Sequence, residues 1–558
     1  MRVILPYTRE EIPEECHIVQ MPDTWVGEAL SGVIRSWCTT QPILIEAPTG
    51  QGKTEFVRRI ARYQQHRRGK VLLLVHRTAI AVQQKAGLAK ALQSKWAKVE
   101  DLQALAYADE ALEDVSVTVM TYQRFAVRYK EMNLKDFAWV VGDEVHYFYS
   151  DAAFNPHLDS LFWKLPVLFR HAHRLYLSAT PGTILPLLCQ AEEKNLRDCR
   201  DCRCLREGHG KLLLYRFPHH FSSVDLHYYR KVEEIADLVK SYPEEKFLIF
   251  TSTRESERDG GRRSYMAALK HRGIQAVYLD RFSKGSIHWN DLCKKERFTQ
   301  QVLVCTSVLD CGVNIKDPAL RHIVVETTDR TEFLQMLGRK RLMPGENIHV
   351  YLWVPDRGTI CRRLSDVRCG LHLLQEGERA ARAGRCDALV YRGWNDESTE
   401  RRYMHLFNYT GKGHLAPKRT ASLYLHWQEA TLQSLLDSEK RLGDGSALPR
   451  LAHQWLEQPD GYAPQRWLGY NRKAQAKTDL MAFLTASAGS SMDRTSFAAF
   501  SKEFTPLANA VQSFPHDSTR TLGHQAINSR LNALGLPFQV LASNGTFTVF
   551  HKEENRNV

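Results

Sequence analysis

Short apolar runs punctuate the first two thirds of the chain. Residues 42–46, 71–74, 115–120, 138–142 and 175–177 are blocks of strand length, and 246–250 and 302–305 repeat the pattern further on. Apart from 115–120, where Ser116 and Thr118 alternate with valines, these runs lack polar alternation and suit strands covered on both faces, as in a parallel sheet. Segments of helical period lie between them. The alternation runs from about residue 41 to 183 and again from about 211 to 355, which predicts two parallel α/β domains in tandem.

The remainder reads differently. Residues 1–40 form a lead-in with a helix-like stretch over 26–37, and 184–215 read as the link between the two cores. Residues 361–444 are helical in pattern. Near the end, 521–535 form an amphipathic helix closing on Gly535, followed by apolar runs at 537–541 and 546–550 around Asn544-Gly545, a strong hairpin signal. Helix then hairpin is compatible with a winged helix, and also with a small α+β cap. The expected domains are therefore 1–40, a first core over 41–215, a second over 216–360, a helical accessory region over 361–444 and a C-terminal domain over 445–558. No repeats or low-complexity tracts interrupt them.

The loop after the first run carries recognisable chemistry. Ala47, Pro48, Thr49, Gly50, Gln51, Gly52, Lys53 and Thr54 stand between a strand and an amphipathic helix, the context of a phosphate-binding loop. Backbone N–H groups must converge on phosphate oxygens there, so bulky side chains are excluded. The helix N-terminus adds a positive end. Lys53 supplies a mobile charge and the Thr54 hydroxyl a Mg²⁺ ligand. Ala47 stands where a first glycine is usual, and alanine is the smallest alternative.

The run at 138–142 ends in Asp143-Glu144-Val145-His146. Asp143 at a strand end can hold Mg²⁺, and Glu144 beside it can orient and deprotonate water. Adjacent residues on a strand end point apart, so the two acids can serve two tasks.

With these motifs the chain resembles the superfamily 2 helicases of the DExH kind. Ser178-Ala179-Thr180 is similar to their third motif, Val75-His76-Arg77-Thr78 to motif Ia, and Thr121-Tyr122-Gln123 to a further nucleic-acid motif. Residues 246–253, 302–315 and 335–341 look like motifs IV, V and VI. The match covers roughly residues 25–360. It implies two RecA-like cores with ATP between them, and Arg77, Thr121, Gln123, Thr251 and Thr306 on the backbone of one nucleic-acid strand. It further implies Gly312, Asn314, Gln335, Arg339 and Arg341 at the nucleotide, and His146, Ser178 and Thr180 coupling ATP state to closure.

Two departures stand out. The family's final arginine falls at Leu342, with Arg341 one residue early. On a helix that is a displacement of about 100°, which makes Arg339 the first choice for the γ-phosphate and keeps Arg341 as the alternative. No glutamine motif of the DEAD-box RNA helicases precedes the phosphate loop, so adenine recognition has no assigned residue. The style is closer to DNA-acting helicases of bacteria and mobile elements.

Composition adds a few bounds. Lys and Arg number 76 against 63 Asp and Glu, a net +13, which fits a polyanionic partner as well as a solvated basic surface. Bases and aromatics interleave over 401–427 (Arg401, Arg402, Tyr403, Phe407, Tyr409, Lys412, Lys418, Arg419, Tyr424, Trp427), a pattern for single-stranded nucleic acid or for ordinary helix packing. Cys189, Cys199, Cys202 and Cys204 include one Cys-x-x-Cys spacing without a second pair, so zinc or an iron–sulfur cluster is not expected there. Twelve cysteines in so long a chain are too few for a disulfide framework, and a reducing cytoplasmic location is expected. No run of about 18 apolar residues predicts a membrane span.

The expected function is ATP-dependent translocation or unwinding of nucleic acid, most consistently DNA, with ATP and Mg²⁺. An RNA helicase, and an ATP-switched clamp that recruits a partner without unwinding, are the alternatives. Protein partners are not readable.

Overall fold

The computed structural model describes residues 13–98, 111–150, 158–197, 210–252, 264–280, 282–283, 286–306, 314–342, 345–383, 406–410, 414–512, 514 and 521–552. They divide into two compact units, residues 1–461 and 462–558.

The first unit holds two sheets. One is built from β1 (Cys16–Gln20), β2 (Ile43–Glu46), β3 (Lys70–Val75), β4 (Ala111–Leu112), β5 (Val117–Thr121), β6 (Phe137–Gly142), β7 (His173–Ser178) and β8 (Leu212–Arg216). Their order is β1-β8-β2-β7-β6-β3-β5-β4, parallel throughout except for the edge strand β4. The other comprises β9 (Val224–Tyr229), β10 (Lys246–Phe250), β11 (Ala276–Leu279), β12 (Val302–Cys305), β13 (Leu320–Val325) and β14 (Ile348–Trp353), ordered β11-β12-β10-β13-β14-β9 and wholly parallel. The unbroken apolar runs are the central strands: β2, β10 and β12 are buried from end to end or nearly so. Two tandem RecA-like α/β domains with a helical region beyond them are therefore the fold.

Two stretches depart from the expectation. The helix-like 26–37 splits into a short helix, Val26–Leu30, and a 3₁₀ turn, Ile34–Ser36, with Gly32 between. The stretch 184–215 is not a link but part of the first core. Its helix, Leu185–Arg197, carries Glu192, which accepts from Arg174 Nε (2.9 and 3.1 Å), Tyr176 Oη (2.7 Å) and Asn195 Nδ2 (2.6 Å) in full burial. Removing one member would strand a buried charge, which anchors the helix to β7. β8 then inserts between β1 and β2, where Arg216 pairs with Glu46 at 2.6 Å. The chain passes from the first sheet to the second over 217–223.

Two long helices, Arg357–Arg382 and Arg419–Leu442, pack on each other beyond the second sheet. Between them runs the hairpin of β15 (Phe407–Thr410) and β16 (His414–Pro417). Phe407 and Trp427 are buried, so these two aromatics of the base–aromatic stretch are core residues. Lys418 is buried too, and Arg419 covers the ring of Trp163 at 4.3 Å. Arg401, Arg402, Tyr403 and Lys412 lie outside the described residues. Helix Ala447–Trp455, which the expected boundary at 445 gives to the last domain, lies within the first unit; its buried His453 meets Tyr228 of β9.

The second unit has helices Tyr470–Ser487, Arg494–Val511 and His524–Ala533, and the antiparallel sheet β17 (Ser491–Met492), β19 (Thr546–His551) and β18 (Phe538–Ser543) in that order. Asn544 and Gly545 both take positive φ, 49° and 83°, as a two-residue hairpin of this twist requires. The unit has its own core around Leu480, Phe497, Phe504, Ile527, Leu531, Phe538 and Val549.

Candidate functional site

At the end of β2 the chain turns through Gly50 (φ 98°) and Gly52 (φ 86°) into helix Lys53–Gln65. Both glycines occupy the left-handed region, and both are approached closely. A Cβ on Gly50 would lie 3.1 Å from Arg341 Nη1, and one on Gly52 3.0 Å from the Trp25 ring. Gln51 is tied back to the lead-in, its Nε2 donating to Thr24 O at 2.9 Å and its carbonyl accepting from Val26 N at 3.1 Å. Lys53 is buried, and its ammonium donates to the carbonyls of Ala47 (2.6 Å) and Pro48 (3.2 Å). Burial pushes its pKa down, against the pull of Glu144 and Asp143. The Thr54 hydroxyl accepts from Gln84 Nε2 at 3.2 Å.

β6 delivers the carboxylate pair. Asp143 N–H bonds to Leu74 O of β3, and its carbonyl accepts from Tyr122 Oη, both at 2.9 Å. Glu144 then takes φ 50°, a conformation that costs a non-glycine residue of order 1 kcal/mol or more and persists only where neighbours enforce it. Here Val145 N–H pins the chain to Leu177 O at 2.9 Å. Burial and the Glu144 charge raise the Asp143 pKa to about 7. Burial also works against ionisation of Glu144, but the charges of Lys53 and Arg339 help to outweigh it and hold the carboxyl at about 2. Glu144 Oε2 is buried without a hydrogen bond, although the side chain as a whole keeps 22 % exposure.

His146 bridges three motifs. Its Nδ1 lies 2.9 Å from Ser178 Oγ and 3.4 Å from Glu144 Oε2, while Nε2 meets the Gln335 amide of the second core. Burial lowers its pKa, so the ring is neutral and can accept from Gln335. Ser178 in turn accepts from Thr180 N–H at 3.0 Å. Thr180 Oγ1 is buried without a partner and lines the cavity described next.

The second core closes the site. Helix Arg330–Leu337 ends at Gly338, whose Cα presses on Thr49 so tightly that a Cβ would sit 2.8 Å from Thr49 Oγ1. Because the helix has ended, the spacing argument that put Arg339 first does not apply. Arg339 is buried, within electrostatic reach of Glu144, His146, His76 and Lys53. Arg341 lines the cavity: its Nε donates to Asn314 Oδ1 at 2.9 Å, and burial together with Arg339 lowers its pKa to about 10. Gly312 lies outside the described residues.

The resulting cavity, about 740 Å³, is lined from the first core by Thr49, Gly50, Gly52, Lys53, Thr54, Asp143, Glu144 and Thr180, and from the second by Asn314, Gly338 and Arg341. Three features in or beside it are given no role at the nucleotide by the motif reading. His76, buried with its pKa lowered to about 3 by burial, stands beside Glu144 and against Tyr147. Gln84 holds Thr54 from a helix with no motif signal. His219, His220 and Phe221, on the crossing between cores, line the cavity beside Val224 and Ile348.

The residues expected at nucleic acid stand at C-terminal strand ends: Arg77 after β3, Thr121 ending β5, Thr251 after β10 and Thr306 after β12. Open α/β sheets present ligand-binding loops there. Their availability differs. Arg77 lies over Tyr147 at 4.7 Å, Thr121 Oγ1 caps the next helix through Arg124 N, Gln123 and Thr306 are half-buried, and Thr251 is buried.

Among the cysteines, Cys189 is buried and its thiol pKa is pushed up by burial; Cys199, Cys202 and Cys204 lie outside the described residues. Among the described residues no helix is long and apolar enough to cross a membrane.

The two RecA-like cores face each other across the phosphate-binding turn. Residues 27–183 match the family model described as type III restriction enzyme, res subunit. No curated protein sequence matches the chain. Solved structures similar to it include Mss116p bound to ssRNA and AMP-PNP (12% identity, TM-score 0.42, 77% of this chain and 99% of that one). Others are the Mycobacterium smegmatis helicase Lhr bound to ssDNA and AMP-PNP (16%, 0.39, 89% and 68%) and S. cerevisiae Dbp5 bound to RNA and ADP BeF3 (13%, 0.40, 57% and 81%).

Proposed function

We propose that the protein is an ATP-dependent nucleic-acid helicase or translocase that moves along one strand of DNA. The observation that carries this reading is the cavity's composition: phosphate turn and carboxylates from one core, arginine from the other, so that a bound triphosphate would bridge them.

In this reading the backbone of the turn and Lys53 bind the β- and γ-phosphates. Thr54 and Asp143 suit Mg²⁺, because a hydroxyl and a carboxylate are hard oxygen donors and the neighbouring Glu144 oxygen has no hydrogen bond to satisfy it. When bound, Mg²⁺ neutralises phosphate charge. Glu144, held ionised, takes the proton of the water that attacks the γ-phosphorus as the bond to the ADP oxygen breaks. Arg341 balances the charge of the transferred phosphoryl group, and Arg339 positions Glu144. The His146 bridge from Ser178 to Gln335 ties this event to the seating of the second core.

The two arginines separate by experiment. Arg341→Ala is expected to lower kcat by about 10³-fold or more, the range of an arginine finger, and Arg339→Ala by clearly less. The reverse ranking in steady-state hydrolysis would give the γ-phosphate to Arg339.

The loops bearing Arg77, Thr121, Gln123, Thr251 and Thr306 would hold the strand through phosphate contacts, so affinity should fall steeply with salt. The second unit, read as a winged helix, would add to this grip. It would not do so through Asn528, whose amide braces β18 at Val540 N and O (2.7 and 2.9 Å), nor through Arg530, buried against Asn509 and Phe514. Gln525, Ser529 and Asn532 are the exposed polar groups of that helix. A chain ending at Gly461 should keep basal ATPase within about twofold, since the described residues of 462–558 include none that line the cavity. Binding to forked DNA should weaken at least tenfold. Equal binding by both chains would remove the terminal unit from the interface.

Strand displacement on tailed duplexes tests the whole reading. Unwinding of tailed DNA supports it; unwinding confined to RNA duplexes transfers the function to RNA, and ATP-dependent binding without displacement transfers it to a clamp.

A further inference from the structure

On the second sheet, a group of side chains is used by nothing described above. Asp225 and His227 lie two residues apart on β9, hence on one face of the sheet. The parallel register places His349 of β14 directly opposite Asp225, and Tyr351 opposite His227. His227 Nε2 lies 2.8 Å and His349 Nδ1 3.2 Å from the same oxygen, Asp225 Oδ2. The three donor atoms all fall within 4.8 Å of one another, and all three residues are half-buried.

We propose that Asp225, His227 and His349 form a zinc site, with two imidazoles and one carboxylate as ligands and water completing the coordination. Zinc bonds to imidazole nitrogen and carboxylate oxygen at about 2.0–2.2 Å, so tetrahedral donors stand roughly 3.3 Å apart. The two separations at Oδ2 are close to that, and the ion would enter by opening the triangle slightly. Imidazole together with carboxylate selects a divalent transition metal over Mg²⁺, which prefers oxygen alone. Adjacent paired strands fix the ligand positions more firmly than loops would.

The surroundings support the rings as ligands. His227 stacks on Tyr351 with centroids 5.1 Å apart, and His349 stacks on His322 at 5.3 Å. His322 is committed elsewhere, with Nδ1 at Tyr351 Oη (3.1 Å), Nε2 at Glu245, and its ring flat on Phe247. It acts as a buttress, not a fourth ligand. β9 is the edge strand of the sheet and enters it from the crossing between cores. Val224 and Ile348, one residue before Asp225 and His349, line the nucleotide cavity. A metal here would staple the edge strand to its neighbour beside that cavity.

The test uses the full chain, stripped with a chelator and kept in excess Mg²⁺ so that the nucleotide site does not compete. Zinc is titrated against a chromophoric competitor, and Co²⁺ reports the donor type by absorbance. The expected result is one site per chain of micromolar affinity or better. Its cobalt spectrum should lack the thiolate charge-transfer band that any site built from the chain's cysteines would show. Zinc should raise the melting temperature by several degrees, since a ligand of the folded state alone stabilises it. His349→Gln and Asp225→Asn should each weaken this site at least tenfold and abolish the shift. His349, with a side chain 42 % exposed, is the substitution least able to disturb folding. Zinc affinity and melting shift that are unchanged in both variants, or a cobalt spectrum of thiolate type alone, would overturn the proposal.

Discussion

Lys53→Ala is expected to reduce ATP hydrolysis by about 10²–10³-fold or more, the loss that follows removal of one preorganised charge-stabilising donor. Without nucleotide the ammonium rests on the carbonyls of Ala47 and Pro48, at the lip of the cavity and within reach of both carboxylates. Phosphate oxygens offer it better partners, and alanine offers none in return. The fold should survive. Burial already disfavours the lysine's charge, so its removal takes away an energetic liability along with two hydrogen bonds. The melting temperature should stay within a few degrees of wild type. Hydrolysis near the wild-type rate would show that the phosphates bind elsewhere.

Glu144→Gln is expected to bind ATP and nucleic acid yet hydrolyse about 10²–10⁴-fold more slowly, the contribution of a positioned general base. The amide keeps the size of the side chain and the left-handed backbone, which Val145 N–H and Leu177 O enforce independently of the carboxylate. It loses only the capacity to take a proton. Asp143 remains, and losing the neighbouring charge should ease its own ionisation, because that charge helps to raise its pKa. The variant should therefore accumulate in an ATP-bound, nucleic-acid-bound state, seen as a slower off-rate from labelled single strands. Normal turnover would move the general base to another residue.

Much of this site was legible in the sequence because its chemistry depends on residue type at short spacing. Glycines that must take positive φ, a lysine at a helix start, and two acids at a strand end all leave local marks. The apolar runs marked the strands of both cores for the same reason: a strand covered on both faces has no polar alternation. What the sequence hid was long-range. Nothing local announces that β8 slots between β1 and β2, since that follows from the Arg216–Glu46 pair and from a helix anchored through Glu192. Gln84 and His76 reach the site only through packing. Arg341, beyond a helix that stops at Leu337, lines the cavity, and that boundary is one that spacing does not reveal. In the terminal helix, Asn528 and Arg530 look free to meet a ligand but are consumed by β18 and by Asn509. Phe407 and Trp427 were drawn into the core by the ordinary burial of large aromatics.

The central claim is that ATP turnover at the junction of the two cores is governed by nucleic acid. Steady-state ATP hydrolysis, measured with and without single-stranded DNA and RNA at low salt, tests it most directly. A low basal rate that rises at least tenfold on adding single-stranded DNA, and falls back as salt releases the strand, is the predicted result. A rate indifferent to either nucleic acid, or no hydrolysis under any of these conditions, would contradict the account.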